Sequence, residues 1–370
     1  MLLMKKPWRQ FKSVMLLSAF IYYIGCANHP DVTKVVANKA DLADLFNVTE
    51  TITIKGNAAN PIYSTYNTYV SKERIYVPDI VSHCVHVFNK SGEPISVLGA
   101  RKGTASAEFQ MPYGVLLDEH GYLYVNDRGN KRIQVFDQNM VLFSQYKFTI
   151  SSPIETILLS RKSNIILVAV APAFLNARRQ RCLFRELDKN GNTLNIFGPF
   201  NQKYISYSWA VTIDAADNIY ICNVFEKTIY IFGADRKLSR KIRLKSPSFV
   251  TLETHVSRSP KTLSDYVEKS KALSQEPHTK IIRIHAKSGL LIVLNMLSGG
   301  PFQEPKYILD IFDLQGNLLY YGIEVPGDMP CYTNKLYCLE YSLADKYGLI
   351  SLTGLELKPK IPFTINSEGD

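Results

Sequence analysis

Five short runs that end alike constrain this chain more than any other feature: CVHVFN (84–89), RIQVFD (132–137), LFRELD (183–188), TIYIFG (228–233) and ILDIFD (308–313). Each closes on a large apolar residue, Phe88, Phe136, Leu187, Phe232 or Phe312, and then a turn-forming one. Successive copies are 48, 51, 45 and 80 residues apart, the last equal to one period plus an insertion of about thirty residues. A second run precedes each: Tyr76-Val77-Pro78-Asp79, Tyr124-Val125-Asn126-Asp127, Tyr220-Ile221-Cys222-Asn223 and Ile292-Val293-Leu294-Asn295, with a degenerate copy at Ile166-Leu167-Val168-Ala169. Before these second runs, and once more near the C-terminus, stand polar turns, SKER (71–74), DEHG (118–121), SRKSN (160–164), DAADN (214–218), AKSG (286–289) and ADKYG (344–348), which makes six hairpins. Gly, Asn, Asp and Ser at regular spacing between alternating apolar runs predict antiparallel strands joined in sequence order.

A four-stranded unit near 48 residues long cannot bury both of its faces alone. Arranged radially, each sheet packs on the next, which is a β-propeller. The stretch P-x-G-x-x-x-D-x-x-G-x-x-Y-V-x-D-x-x-N-x-R-I-Q-V-F-D over 112–137 resembles the NHL repeat. That resemblance covers residues 60–245 and 280–322, rests on 345–352 near the C-terminus, and implies an all-β, six-bladed propeller. Met140 stands where many such repeats carry Gly. Closing the ring requires that no strand edge be left open. Val48 to Ile54 alternates like a strand but belongs to no complete blade, so it is predicted to complete the sixth blade from outside. Within an insertion around 254–279, Leu263, Tyr266, Val267 and Leu273 fall near one helical face and Pro277 ends it, predicting one helix on an otherwise β body.

The N-terminus sets the address. MLLMKKPWRQFK is basic with no acid, and the uncharged run 13–25 is too short to span a bilayer, the layout of a secretory signal. The run ends in Tyr23-Ile24-Gly25-Cys26, which resembles a bacterial lipobox, with Tyr23 where Leu is usual. The resemblance implies lipidation of Cys26. Residues 1–25 are then a lipoprotein signal peptide, 26–45 a tether and 46–370 the propeller. Ala27 after the lipidated Cys implies outer-membrane sorting in a Gram-negative envelope, periplasmic or surface-facing. Four of the 43 basic residues precede Cys26, leaving 39 against 33 acids, a mild surplus of six. With no long Lys/Arg block, nucleic acid is not expected as a partner.

Five cysteines remain after Cys26. Cys331 and Cys338 are close enough to staple a loop in an oxidising compartment, whereas Cys84, Cys182 and Cys222 read as small buried hydrophobes. No CxxC pair occurs. His83 and His86, if both lie on a strand, point to opposite faces and cannot share an ion. Asp79, Asp127, Asn223 and Asn295 recur where strand two ends. One reading makes them a ring of Ca²⁺ ligands, as the resemblance to six-bladed lactonases implies; the other makes each the cap of its own loop. Recurrence with the period of the fold favours the second, so no cofactor or metal is expected.

Ligand binding is expected on the face that carries the strand-two-to-three loops and the blade crossings. Arg178, Arg179 and Arg181 in the loop 171–181 are the densest charge there, and guanidinium forks suit carboxylate, sulfate or phosphate. Arg101, Lys102, Arg128, Lys131 and Phe225 join them. Aligning the inner strands places Tyr113 and Trp209, with Thr65, Glu155, Ile281 and Glu340, at equivalent positions near the mouth of the axial channel, where the two aromatics would stack on a ring. No catalytic triad stands outside the repeat. The expected function is a membrane-anchored binding or scaffold module for a protein, peptide or glycan; the alternative is a Ca²⁺-dependent lactonase or a lyase.

Overall fold

The computed structural model describes residues 37–359, except 66, 100, 149–153, 161–165, 171–183, 189, 199–208, 224, 226, 251–263, 265–267, 269–274, 276, 300–301, 329–330, 333–335 and 344–345. These residues form six sheets; strands follow one another in sequence order within each, apart from one strand added from elsewhere in the chain in three of them. Blade one comprises Tyr69–Val70, Arg74–Asp79, Cys84–Asn89 and Pro94–Leu98. Blade two comprises Pro112–Leu117, Leu123–Asp127, Arg132–Phe136 and Leu142–Lys147. Blade three has Ile154–Leu159, Ile166–Val170, Phe184–Leu187 and Thr193–Phe197, and blade four Trp209–Ile213, Ile219–Asn223, Thr228–Phe232 and Leu238–Arg243. Blade five is longer, with His278–Lys287, Leu290–Gly299, Phe302–Asp313 and Leu318–Val325.

Blade six joins the two ends of the chain. Leu336–Ser342 and Leu349–Leu357 pair, and Phe46–Lys55 adds antiparallel to the second of them as the outermost strand, as the alternation of 48–54 predicts. Ile52 and Ile54 point inward there while Thr51 and Thr53 face solvent.

The core is divided among the six junctions. Middle strands are buried on both faces because a blade lies on either side, so successive residues serve different junctions. Ile75 and Val77 pack toward blade six, and Tyr76 packs toward blade two. In blade two, Leu123 and Val125 face blade one while Tyr124 faces blade three. Clusters then join blades three and four, four and five, five and six, and six and one, so the ring is closed by packing as well as by pairing. Outer strands have one face in solvent and alternate, as Leu142–Lys147 does.

Turn chemistry repeats as the sequence implies. Asp137 Oδ1 accepts from the N–H groups of Asn139 at 2.9 Å and Val141 at 2.8 Å, and Asp188, Asp214 and Asp313 hold their turns in the same way. Met140 adopts φ 63° where Gly191 and Gly316 take φ 85° and 91°, so the missing glycine is tolerated at a local cost.

Two further short strands run parallel to blades. Asn38–Lys39 lies along Tyr320–Tyr321 at the outer edge of blade five, and Cys331–Tyr332 lies along Tyr69–Val70 at the inner edge of blade one. A single helical turn, Leu42–Leu45, leads from the first of these into blade six and buries Leu45. Ser264, Glu268 and Gln275 in the insertion are helical and exposed; Leu263, Tyr266, Val267 and Leu273 lie outside the described residues. Among the described residues no helix is long and apolar enough to cross a membrane. The staple expected between Cys331 and Cys338 is not formed: Cys338 is a free thiol, buried between blades five and six, where burial pushes its pKa up to about 12.

Candidate functional site

Tyr113 and Arg128 come together at the loop face of blade two. Tyr113 falls in a bulge between Pro112 and Val115, where the inner strand slips register against its neighbour. Arg128 opens the single 3₁₀ turn Arg128–Asn130 that links strands two and three. The guanidinium carbon lies 4.6 Å from the centre of the Tyr113 ring, a cation stacked on an aromatic face. The turn is pinned from both sides, since Gly129 N–H donates to Gln110 O at 2.7 Å and Asn130 Nδ2 donates to Gly103 O at 2.8 Å.

Tyr113 is also tied across the ring. Its carbonyl accepts from Asn67 Nδ2 at 3.0 Å, and Asn67 Oδ1 accepts from Arg283 Nη1 at 2.8 Å. Arg283 lies in the innermost strand of blade five and grips Asp328 with Nε and Nη2, at 3.2 and 2.9 Å. None of Asn67, Arg283 and Asp328 was expected at the mouth. The usable signal was Arg283 itself, a charge inside the apolar run IIRIHA of an inner strand.

The other expected residues fare differently. Trp209 pairs with Asn223 as Pro112 pairs with Asp127, so Trp209 and Tyr113 are one register position apart and not equivalent. The bulges at Tyr113–Gly114, Glu155 and Ile282 cause the slip. The side chain of Trp209 lies outside the described residues, as do Arg178, Arg179 and Arg181 and the lipidation residue Cys26. Glu340 pairs with Ser351 near the turn at the far end of its strand and is exposed, away from the mouth. Arg101 is paired with Glu108 at 2.8 Å on the same face as Arg128.

The carboxylates that end strand two serve their own loops. Asp79 is fully buried and accepts from Tyr63 N–H at 2.7 Å, the Ser64 hydroxyl at 2.8 Å, Val81 N–H at 2.9 Å and Ser82 N–H at 3.1 Å. Burial would raise its pKa, but contact with His86 and these donors outweighs burial and holds it well below the usual carboxylate range. Asp127 accepts from Gln110 N–H at 2.7 Å, Asn130 Nδ2 at 2.9 Å and Arg132 Nε at 2.6 Å. Arg132 spends its other arms on the carbonyls of Thr104, Ala105 and Glu108, so one buried ion pair shapes the whole crossing 103–110. Among the described residues no group of three or more His, Cys, Asp or Glu side chains is placed to hold a metal ion.

One arrangement resembles a nucleophile with its base. Cys84 Sγ lies 3.3 Å from His86 Nε2, and Asp79 Oδ2 lies 3.8 Å from that same nitrogen. A relay needs the acid on the opposite ring nitrogen. Burial pushes the thiol up to about 12, so the trio is a packed polar contact. His83 sits in the preceding turn at φ 58°, and its Nδ1 accepts from Met111 N–H at 3.0 Å.

Comparison with known proteins agrees with this geometry. The chain is 34% identical over 109 residues to NHL repeat-containing protein 3 of Homo sapiens, and 35% identical over 103 residues to that of Mus musculus. These matches take in 28% and 26% of this chain and span only 31% and 30% of the relatives' length. Among solved structures, a member of the DUF4221 family from Bacteroides vulgatus superposes with a TM-score of 0.62 at 10% identity, covering 85% of this chain and 98% of the other. A Bacteroides fragilis protein named as an exported protein superposes with a TM-score of 0.59 at 12% identity, covering 87% and 98%. Both show the shared propeller fold. The repeat, the closed ring of six sheets and a family model that matches residues 27–273 agree, and the chain belongs to the DUF5128 family, described as 6-bladed beta-propeller.

Proposed function

We propose that this protein is a membrane-anchored lipoprotein whose propeller acts as a binding module, holding a protein, peptide or glycan at the loop face. The observation that carries the reading is the Arg128–Tyr113 stack at 4.6 Å. A guanidinium laid on an aromatic ring offers a flat apolar edge and a fixed cation together, a combination suited to ring-bearing or acidic groups. Asp79 and Asp127, by contrast, are consumed by their own loops. Arg178, Arg179 and Arg181 would add charge from the next blade. Lipidation at Cys26 would place the module at the outer membrane, since two or more acyl chains anchor far more firmly than one.

Peptide and glycan arrays probed with the full chain test the binding reading. Bound features should lose about tenfold in affinity on Arg128→Ala or Tyr113→Ala. Turnover of a lactone panel that stops on adding chelator would replace binding with catalysis. Mass spectrometry of the mature N-terminus should find acyl chains on Cys26; an unmodified Cys26 contradicts the anchor.

A further inference from the structure

The arginines that serve this fold are sealed. Arg132 and Arg236 expose 3% of their side chains, and each closes a buried ion pair. Arg283 is different: its side chain is 26% exposed, and that of its partner Asp328 is 35% exposed. The pair therefore meets solvent while keeping fork geometry, with Nε on one carboxylate oxygen and Nη2 on the other.

Its place in the ring is also particular. Arg283 pairs with Leu294, next to Asn295, which holds the position that ends strand two in blades one, two and four, although in blade five the strand runs on to Gly299. At the same register blade three carries Thr156 and blade four Ala210, both small and neutral. The arginine is therefore not part of the repeat. Its third arm reaches Asn67, at the entry to blade one, although blade six stands between blades five and one. A bond that skips a blade must run across the channel side of the ring. Asp328 lies on that side as well: its carbonyl accepts from Leu339 N–H in the innermost strand of blade six, and Cys331–Tyr332, a few residues on, pairs with the inner strand of blade one. Asn67 then links Arg283 to the backbone of Tyr113, beside the Arg128 stack.

We infer that Arg283 is the carboxylate receptor of the channel mouth, and that Asp328 is an internal occupant which the carboxylate of a ligand displaces. The inference rests on the binding reading above and names the ligand chemistry of that site. The exchange replaces one carboxylate by another on the same guanidinium, so charge is conserved and no proton moves. Asp328 swings toward solvent, where it is already partly exposed. In the wild type the internal acid competes with the ligand, and apparent affinity is reduced by the fraction of time it occupies the fork.

Titration calorimetry on the full chain tests this with two acid and neutral pairs, glucuronate against glucose and N-acetylphenylalanine against its amide. The acid of at least one pair should bind and its neutral counterpart should not; which acid binds separates a sugar source from a peptide source. Asp328→Asn should tighten that binding about tenfold, and Arg283→Gln should abolish it. Should Arg283→Gln fail to fold, the Asp328→Asn arm decides. Equal binding of acid and neutral partners, no binding of either acid to Asp328→Asn, or unchanged or weaker binding in Asp328→Asn overturns the inference. Array ligands that depend on Tyr113 but not on Asp328 would leave the binding reading standing and remove this one.

Discussion

Arg236, in the outer turn of blade four, holds Glu186 of blade three at 2.8 Å and Asp217 of its own blade at 3.0 Å, in a setting where the arginine and glutamate side chains are 3% and 9% exposed. Ser160 adds its hydroxyl to both oxygens of Asp217, so the junction of blades three and four carries a buried ion network beside its apolar cluster. Removing Arg236 strands two buried carboxylates, Glu186 and Asp217. Arg236→Met should cost about 3–5 kcal/mol in urea unfolding, and the triple change Arg236→Met, Glu186→Ile and Asp217→Asn should recover much of that loss.

Asp127 organises the crossing into blade two. Asp127→Ala leaves Arg132 buried without its carboxylate and takes the acceptor from Gln110 N–H and from one of the two Asn130 Nδ2 bonds. A loss of about 3 kcal/mol or more is expected in denaturant melts. If the residue is a loop cap and not a Ca²⁺ ligand, the melting temperature of the wild type should not move on adding calcium or chelator. A calcium-dependent rise that disappears in Asp127→Ala would reverse the assignment.

Asp79 sets an acid limit on stability. Its folded pKa is depressed, so its contribution is present above the ordinary carboxylate pKa of about 4 and is lost as pH falls through lower values. Stability measured from pH 6 down to pH 2 should fall less steeply in Asp79→Asn than in the wild type. Parallel curves would contradict the hydrogen-bond account of the shift.

Closure of the ring depends on Ile54, which is fully buried between blades six and one. Ile54→Ala should cost about 2–5 kcal/mol, whereas Thr53→Ala, one residue away on the solvent face, should cost little. Equal effects would mean that the N-terminal strand does not close the ring.

How far these features could be read in the residues follows from their range. The period near 48, the hairpin turns and the closing strand were legible because each is local and repeats, so the alternation of 48–54 alone was enough to place an outermost strand. Glu186 was visible as a charge at the position held by Val87, Val135 and Ile231, but its partner Arg236 lies fifty residues on in a turn, and nothing local points there. Bulges escaped for a related reason. One extra residue at Tyr113, Glu155 or Ile282 shifts an inner strand without altering the period, which misaligned Tyr113 with Trp209 and hid Arg283 from the channel. The Cys331–Cys338 staple failed because Cys331 pairs with blade one while Cys338 faces the junction of blades five and six.

The most direct measurement of the central claim is hydrogen–deuterium exchange on the full chain with and without a ligand recovered from the arrays. Binding at the loop face of blade two predicts added protection at 111–116 and 128–131, with turns 118–122, 214–218 and 288–289 on the opposite face unchanged. Protection confined to those turns, or none at either face, would contradict it.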